Sequence, residues 1–220
     1  LSLHDALPIF TDRLYNIAER HKLLHDSQEG FRRHRSCARQ AQSLFWAYQE
    51  AKRRKESLVV TFLDFANAFN SVDHAALWKW LRTLGVPDVD LLEDIYTDSH
   101  YSAETPHGTT AKIFLTRGTK QGDGLSPLLF SLIFNYLLHA LEATGIGHKS
   151  ATGLRTPSRA FADDVALVTT STQDTSTLLQ VITKFCGWSE MRLNTSKPDI
   201  SAWDFWLNSE PDIPLVTVND

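Results

Sequence analysis

The sequence predicts an α+β fold, and three observations carry that expectation. Strand patterns occur as antiparallel hairpins, most clearly from Ser158 to Thr170, where Val- and Phe-rich runs flank the polar pair Asp163-Asp164. Helical patterns stand apart from them, with apolar residues at 3.6-residue spacing after Asp73, after Ser126 and after Asp174. With 42% hydrophobic residues in 220, the chain has ample material for one large domain or two small ones.

Taken in order, residues 1–9, LSLHDALPI, lack the basic lead and long apolar run of a signal peptide. The string back-translates into the end of a common sequencing-library adapter. Residues 1–9 are therefore read as an assembly artefact, with the natural chain continuing upstream of Phe10. From Phe10 to Leu24 the positions of Leu14, Ile17 and Leu24 predict a helix. Gln28 to Ser36, QEGFRRHRS, is a Gly-punctuated turn whose Arg32 and Arg35 offer guanidinium forks that suit phosphate oxygens. A second helix, about Ala38 to Lys55, carries Leu44, Phe45 and Tyr48 and ends in a basic cluster.

Leu58 to Phe65, LVVTFLDF, has a buried-strand pattern that ends on Asp64. The acid suited to capping the next helix is Asp73, ahead of Leu77, Leu81 and Leu84, with Gly85 as the stop and Pro87 beyond. Asp64 is thereby left without a structural task. A short helix follows from Asp88 to Asp98, then a hairpin, His100 to Glu104 with Ala111 to Arg117, about the turn TPHG. In RGTKQGDGLSPLLF, Gly118, Gly122 and Gly124 form a loop open to close approach; Ser126 is expected to cap the next helix and Pro127 to take its first position. Beyond the acidic hairpin come an amphipathic helix from Asp174 to Trp188, the loop RLNTSK with Lys197, and a strand from Ile200 to Phe205.

The formal net charge is -4, but it is unevenly spread. From Phe31 to Lys55 there are eight Lys or Arg against Glu50 alone, a balance of +7, so the remainder carries -11. A basic segment on an acidic body suits a protein that handles phosphates in one place and cations in another; the plainer reading is a solvated basic helix face. Cys37 and Cys186 stand far apart, outside any zinc or disulfide pattern. The longest apolar stretch, Leu128 to Leu138, holds Ser131 and Asn135 and is far short of the ~20 residues that cross a bilayer, so no membrane partner is expected.

Adjacent like charges repel, so Asp163-Asp164 alone reads first as a solvated turn and second as a cation site. Strands that brought Asp64 beside that turn would make a three-carboxylate cluster fit for magnesium. Phosphoryl transfer by two ions about 3.5 to 4 Å apart uses such a cluster, one ion activating the attacking hydroxyl and the other steadying the leaving phosphate.

Four motifs in this order, FLDFANAFNSVDH, RGTKQGDGLSPLLF, AFADDVALV and LNTSK, resemble the reverse transcriptase domain of a non-LTR (LINE-type) retrotransposon polyprotein. The resemblance runs from Gln28 to about Phe205. It implies a right-hand polymerase: partial, mostly helical fingers over residues 10–57, a palm over 58–205 with an antiparallel sheet packed on helices, and the start of a connection towards a thumb over 206–220. It also implies the roles of the site residues. Asp64 and Asp163 would be ligands of Mg2+ (or Mn2+), with Asp164 at the same site in a lesser role, and Lys197 the proton donor to departing pyrophosphate. Phe69 would be the steric gate against a ribose 2'-hydroxyl. Lys120, Gln121 and Gly122 would contact nucleotide or template, the last two under the nascent base pair, and Arg32 and Arg35 would act from the fingers. The partners implied are an RNA template, a DNA primer and dNTPs, and the implied location is intracellular, in the nucleus. Asn70 stands where many relatives carry Asp, off the metal positions; Gly124 replaces a frequent Pro, and Pro198 follows Lys197 in place of a small polar residue. An inactive retroelement remnant that keeps the fold and some nucleic-acid affinity is the competing expectation. A nucleotide cyclase is disfavoured by the basic segment and the QGD loop.

Overall fold

The computed structural model describes residues 3–97, 99–120, 122–150, 153–194 and 199–203. Helix α1 (Leu3–Arg20) starts earlier than the periodicity predicts, with Pro8 inside it, and buries Leu14 and Ala18. After a closely bonded loop, α2 (Cys37–Arg54) opens on Ser36, whose hydroxyl accepts the Arg39 N–H, and closes on a left-handed Lys55. Strand β1 (Leu58–Leu63) ends just before Asp64, and β2 (Phe65–Ala66) just after it. A single turn, α3 (Ala68–Ser71), carries Phe69. Asp73 then caps α4 (His74–Thr83), accepting the Ala76 N–H at 2.7 Å as predicted. That helix stops at Gly85: the Gly85 N–H reaches the Arg82 carbonyl and the Val86 N–H the Leu81 carbonyl, which satisfies two otherwise orphaned acceptors.

Helix α5 (Val89–Thr97) leads to the expected hairpin, built as two ladders: β3 (His100–Tyr101) with β6 (Ile113–Phe114), and β4 (Glu104–Thr105) with β5 (Gly108–Thr109) nearer the tip. Helix α6 (Ser126–Glu142) is buried on nearly every side, as its unbroken apolar content requires. Its start differs from expectation. Ser126 is the first helical residue rather than the cap, and its hydroxyl donates to the Lys120 carbonyl at 2.5 Å, while Asp123 accepts the Leu125 N–H at 2.9 Å. The N-cap position falls to Leu125, which has no side-chain acceptor to offer, and Asp123 accepts its N–H instead.

A small pair, β7 (His148–Lys149) and β8 (Arg155–Thr156), precedes the acidic hairpin β9 (Ser158–Phe161) and β10 (Asp164–Thr169). Helix α7 (Thr172–Ser189) follows, capped by Ser171, then β11 (Arg192–Leu193), which pairs with β2, and β12 (Asp199–Trp203).

The main sheet has the order β12-β1-β10-β9, antiparallel throughout. Side chains alternate across it with period two. Leu58 and Val60 with Ala166 and Val168 face α2, packing on Ala47 and Ala51, whereas Leu63, Val165 and Leu167 join the large core of α4, α6 and α7. Leu14, Ala18 and Leu24 lie in that same large core, so the N-terminal segment is built into the body rather than standing apart from it. Among the described residues no helix is long and apolar enough to cross a membrane.

Candidate active site

The three aspartates are placed by the register of the two central strands. The β1–β10 ladder ends with Leu63 opposite Val165, so its continuation by one residue sets Asp64 opposite Asp164. Residues directly opposite share a face, and both acids lie on the side that carries Phe62 and Ala166. On that side a cleft of about 840 Å³ is lined by Asp64, Asp164, Val60, Phe62, Phe161 and Tyr48, among others. Asp163 sits one residue earlier. Phe161 pairs with Asp164, which leaves Ala162 and Asp163 as a two-residue turn, so the tip carries one acid rather than two. Asp164 begins the strand.

Burial raises the Asp163 carboxyl above its ordinary range, and the neighbouring charges of Asp164 and Asp64 push the same way. The three carboxylates therefore sense one another. All are hard oxygen donors, the set that suits Mg2+ or Mn2+ rather than a softer metal. Asp64 has a further partner that the residue patterns did not single out: Asn194 donates its Nδ2–H to Asp64 Oδ2 at 2.9 Å and its backbone N–H to the Asp64 carbonyl at 2.8 Å. The signal was in reach, because Asn194 belongs to LNTSK. What it lacked was the pairing of β11 with β2, which only the fold supplies.

Phe69 is half-buried. Its ring stacks on Phe130 at 4.1 Å between centroids and meets Phe31 edge-on at 5.7 Å. The Gly loop is stitched beneath it, with the Thr119 N–H donating to the Phe69 carbonyl and the Gly118 N–H to the Val72 carbonyl, both at 2.8 Å. A Cβ on Gly118 would stand 2.7 Å from the Asn70 Cα, so only glycine permits this approach. Lys120 is half-buried and Gly122 exposed, with open space on the side where a Cβ would be. Gln121 and Lys197 lie outside the described residues.

Arg32 and Arg35 are placed differently from the phosphate-binding expectation. Arg32 is 8% exposed and its fork grips Glu19, Nε to Oε1 at 2.8 Å and Nη2 to Oε2 at 2.7 Å, while Nη1 donates to the carbonyls of His25 and Gln28. Arg35 Nη1 holds the buried Glu29 at 2.8 Å. The bidentate geometry was foreseen; its carboxylate partner was not, since Glu19 arrives from α1.

Among the described residues, the group of three ligand-type side chains whose donor atoms all lie within 4.8 Å of one another is His25, His139 and Glu142. The Ser27 N–H donates to His25 Nδ1 at 3.1 Å, so Nε2 carries the proton and gives it to Glu142 at 3.0 Å. That atom is occupied by a hydrogen bond rather than open to a cation.

An antiparallel sheet backed by helices, with aspartates at one end of its central strands and a cleft above them, is the arrangement of a polymerase palm. Residues 7–206 match the family model described as "Reverse transcriptase (RNA-dependent DNA polymerase)", and the chain belongs to that family. It is 31% identical over 172 residues to the Pol polyprotein of the type-2 retrotransposable element R2DM of Drosophila melanogaster, covering 77% of this chain and 16% of that one. Against a Pol polyprotein from an R2 element of Popillia japonica it is 30% identical over 178 residues, with 79% and 25% covered. The RNA-directed DNA polymerase from mobile element jockey of Drosophila funebris is 26% identical over 199 residues, with 87% and 21% covered. These relatives are non-LTR elements, as the four motifs implied. The chain spans a quarter or less of the length of each. Among solved structures, apo telomerase from Candida Tropicalis, truncated from its C-terminal domain, superposes with a TM-score of 0.67 at 11% identity, covering 91% of this chain and 40% of that one, which supports the fold.

Proposed function

We propose that this chain is the catalytic core of an RNA-directed DNA polymerase that transfers nucleotides from dNTPs to a primer 3'-hydroxyl on an RNA template. The observation that carries the reading is the register that sets Asp64 opposite Asp164 at one end of the β1–β10 pair, at a cleft that both line, with Asp163 one residue earlier on the turn. These carboxylates fit Mg2+, or Mn2+ in its place; when bound, the ions would supply activation of the primer hydroxyl and stabilisation of charge on the leaving pyrophosphate. The protein's part is to hold its oxygens in place. Asn194 fixes one oxygen of Asp64 and leaves the other free to bind. The open face of Gly122 would give a base pair room to lie against the backbone, and Phe69, stiffened by Phe130, would act as the gate against a ribose hydroxyl; the stacking and the open face support these roles. For Gln121 beneath the base pair and Lys197 as proton donor, the support is the motif resemblance alone, as it is for action in the nucleus.

The test is primer extension on an RNA template by the chain within its full reading frame. Magnesium-dependent incorporation of dNTPs that is lost in Asp64→Asn supports the reading. Absence of extension by the unmutated protein would instead identify a silent remnant that keeps the fold.

A further inference from the structure

Ala162 is the residue on which the position of Asp163 turns, and its backbone is strained. It has φ 58, a left-handed conformation that costs an L-residue with a Cβ about 1–2 kcal/mol. Something must hold it there. The Gln28 carboxamide bonds the peptides on both sides of the Ala162 Cα: Nε2 donates to the Ala162 carbonyl at 3.0 Å, and Oε1 accepts the Ala162 N–H at 2.8 Å. The same Oε1 also accepts the Gly30 N–H at 2.8 Å. Gln28 is fully buried. Gly30 lies against the same turn so closely that a Cβ there would stand 2.2 Å from the Ala162 nitrogen.

The loop that carries Gln28 is itself fixed along its length. Asn135 on α6 bonds the Leu23 carbonyl and the His25 N–H, and Arg32 holds the carbonyls of His25 and Gln28 while anchored to Glu19. The Glu29 N–H donates to the Ala160 carbonyl at 3.0 Å, and the Ala160 N–H to the Ser27 carbonyl at 2.9 Å, which sews the loop to the outer edge of β9. A chain of bonds thus runs from α1 and α6 to the two peptides that flank Ala162, the residue before Asp163.

We propose that Gln28 is a positioning residue for Asp163: by clamping both backbone polar groups of Ala162, one on each of the two peptides that flank its Cα, it holds the turn in the one backbone state that presents the Asp163 carboxylate to the cation site. The proposal rests on the reading of Asp163 as a metal ligand. Outer groups that orient metal ligands are typically worth about 10–100-fold in metal affinity.

The test uses the 220-residue chain, with Mn2+ titration followed by electron paramagnetic resonance and the Ala162 13Cα shift as a separate report on the backbone. Gln28→Met keeps the volume and loses both bonds; it should weaken Mn2+ binding on the order of tenfold and move the Ala162 shift out of its left-handed range. Ala162→Gly removes the strain that the clamp opposes, so the Gln28→Met/Ala162→Gly pair should recover most of that loss. Simple packing loss at Gln28 would not be rescued in this way. Gln28→Glu, made in an Asp163→Asn background so that the adjoining carboxyl does not titrate as well, serves where Gln28→Met does not fold: its protonated acid mimics the carboxamide and its carboxylate does not, so the Ala162 shift should move further with pH in this variant than in Asp163→Asn alone. An unchanged Ala162 shift in Gln28→Met, or one that moves no further with pH in the Gln28→Glu variant than in Asp163→Asn alone, overturns the proposal, as does Mn2+ affinity unchanged by Gln28→Met. If Asp163→Asn leaves Mn2+ binding intact, the metal reading fails and positioning of a ligand fails with it, whereas the shift data still decide whether Gln28 clamps the turn.

Discussion

Asp163 is held in an uncomfortable setting, and the discomfort has a sign that can be measured. Burial, then its neighbours Asp164 and Asp64, raise its carboxyl above the ordinary value, so the folded chain binds that proton more tightly than the unfolded chain. The group therefore adds stability below the ordinary carboxylate range and loses it as pH rises through the raised value. At pH 7 without divalent cations, Asp163→Asn should melt about 2 °C higher than the parent, and the gap should close as pH falls. Thermal melts at pH 7 and below the ordinary carboxylate range, with chelator present, check this, and an unchanged or lower melting temperature at pH 7 would contradict it. Arg32 makes the opposite case, an ion pair that the fold needs. Lysine has no fork to reach Glu19 and two carbonyls at once, so Arg32→Lys should cost about 3 kcal/mol in urea unfolding. Lone side chains were read well where their chemistry is local, as with Asp73 at its helix. The carboxylate partner of Arg32 has no such local trace, because it lies 13 residues away on α1.

At the level of elements, α2 shows why a count of charges is a poor map of a surface. The eight basic residues from Phe31 to Lys55 suggested a phosphate-binding face, yet Arg32, Arg33, Arg35, Arg39 and Arg54 all pair with acids of the protein itself. Among the described residues, Lys52, Arg53 and Lys55 make no ion pair, so the basic face narrows to the C-terminal end of the helix. Helix α7 carries a second expectation. Burial pushes the Cys186 thiol up to about 11, whereas Cys37 is exposed at the start of α2. Iodoacetamide at pH 8 should label Cys37 readily and Cys186 only after denaturation, which peptide mass spectrometry reads directly; equal labelling would place Cys186 in water.

For the molecule as a whole, a single large core runs from α1 to α7, and Phe134 sits near its middle with Phe65, Phe130 and Phe185 around it. Phe134→Ala should cost about 3–5 kcal/mol in urea unfolding, with circular dichroism and tryptophan fluorescence still reporting one transition. Two separated transitions would mean that the N-terminal segment unfolds independently. The α+β class, the order of elements and the acidic hairpin were legible because each rests on periodicity or on turn and cap chemistry within about a dozen residues. The meeting of Asp64 with Asp164 depends on strand register, and the binding of Asn194 to Asp64 on β11 returning to β2; neither has a local trace. The docking of α2 and the loop before it against β9 and its turn belongs with them, since it is made by side chains bonded to backbone more than 100 residues away.

The contact of Gly118 with Asn70 also bears on how such a chain can change over generations. The loop that leads to Lys120 and Gly122 and the turn that carries Phe69 touch backbone to backbone, with no side chain between them to absorb a difference in size. A larger residue at 118 cannot be accommodated alone; α3 has to retreat, and Phe69 retreats with it. If Phe69 and Gly122 act as proposed, sugar discrimination and the seating of the template base are inherited as one trait, and a lineage can alter either only through paired substitutions on both sides of that contact.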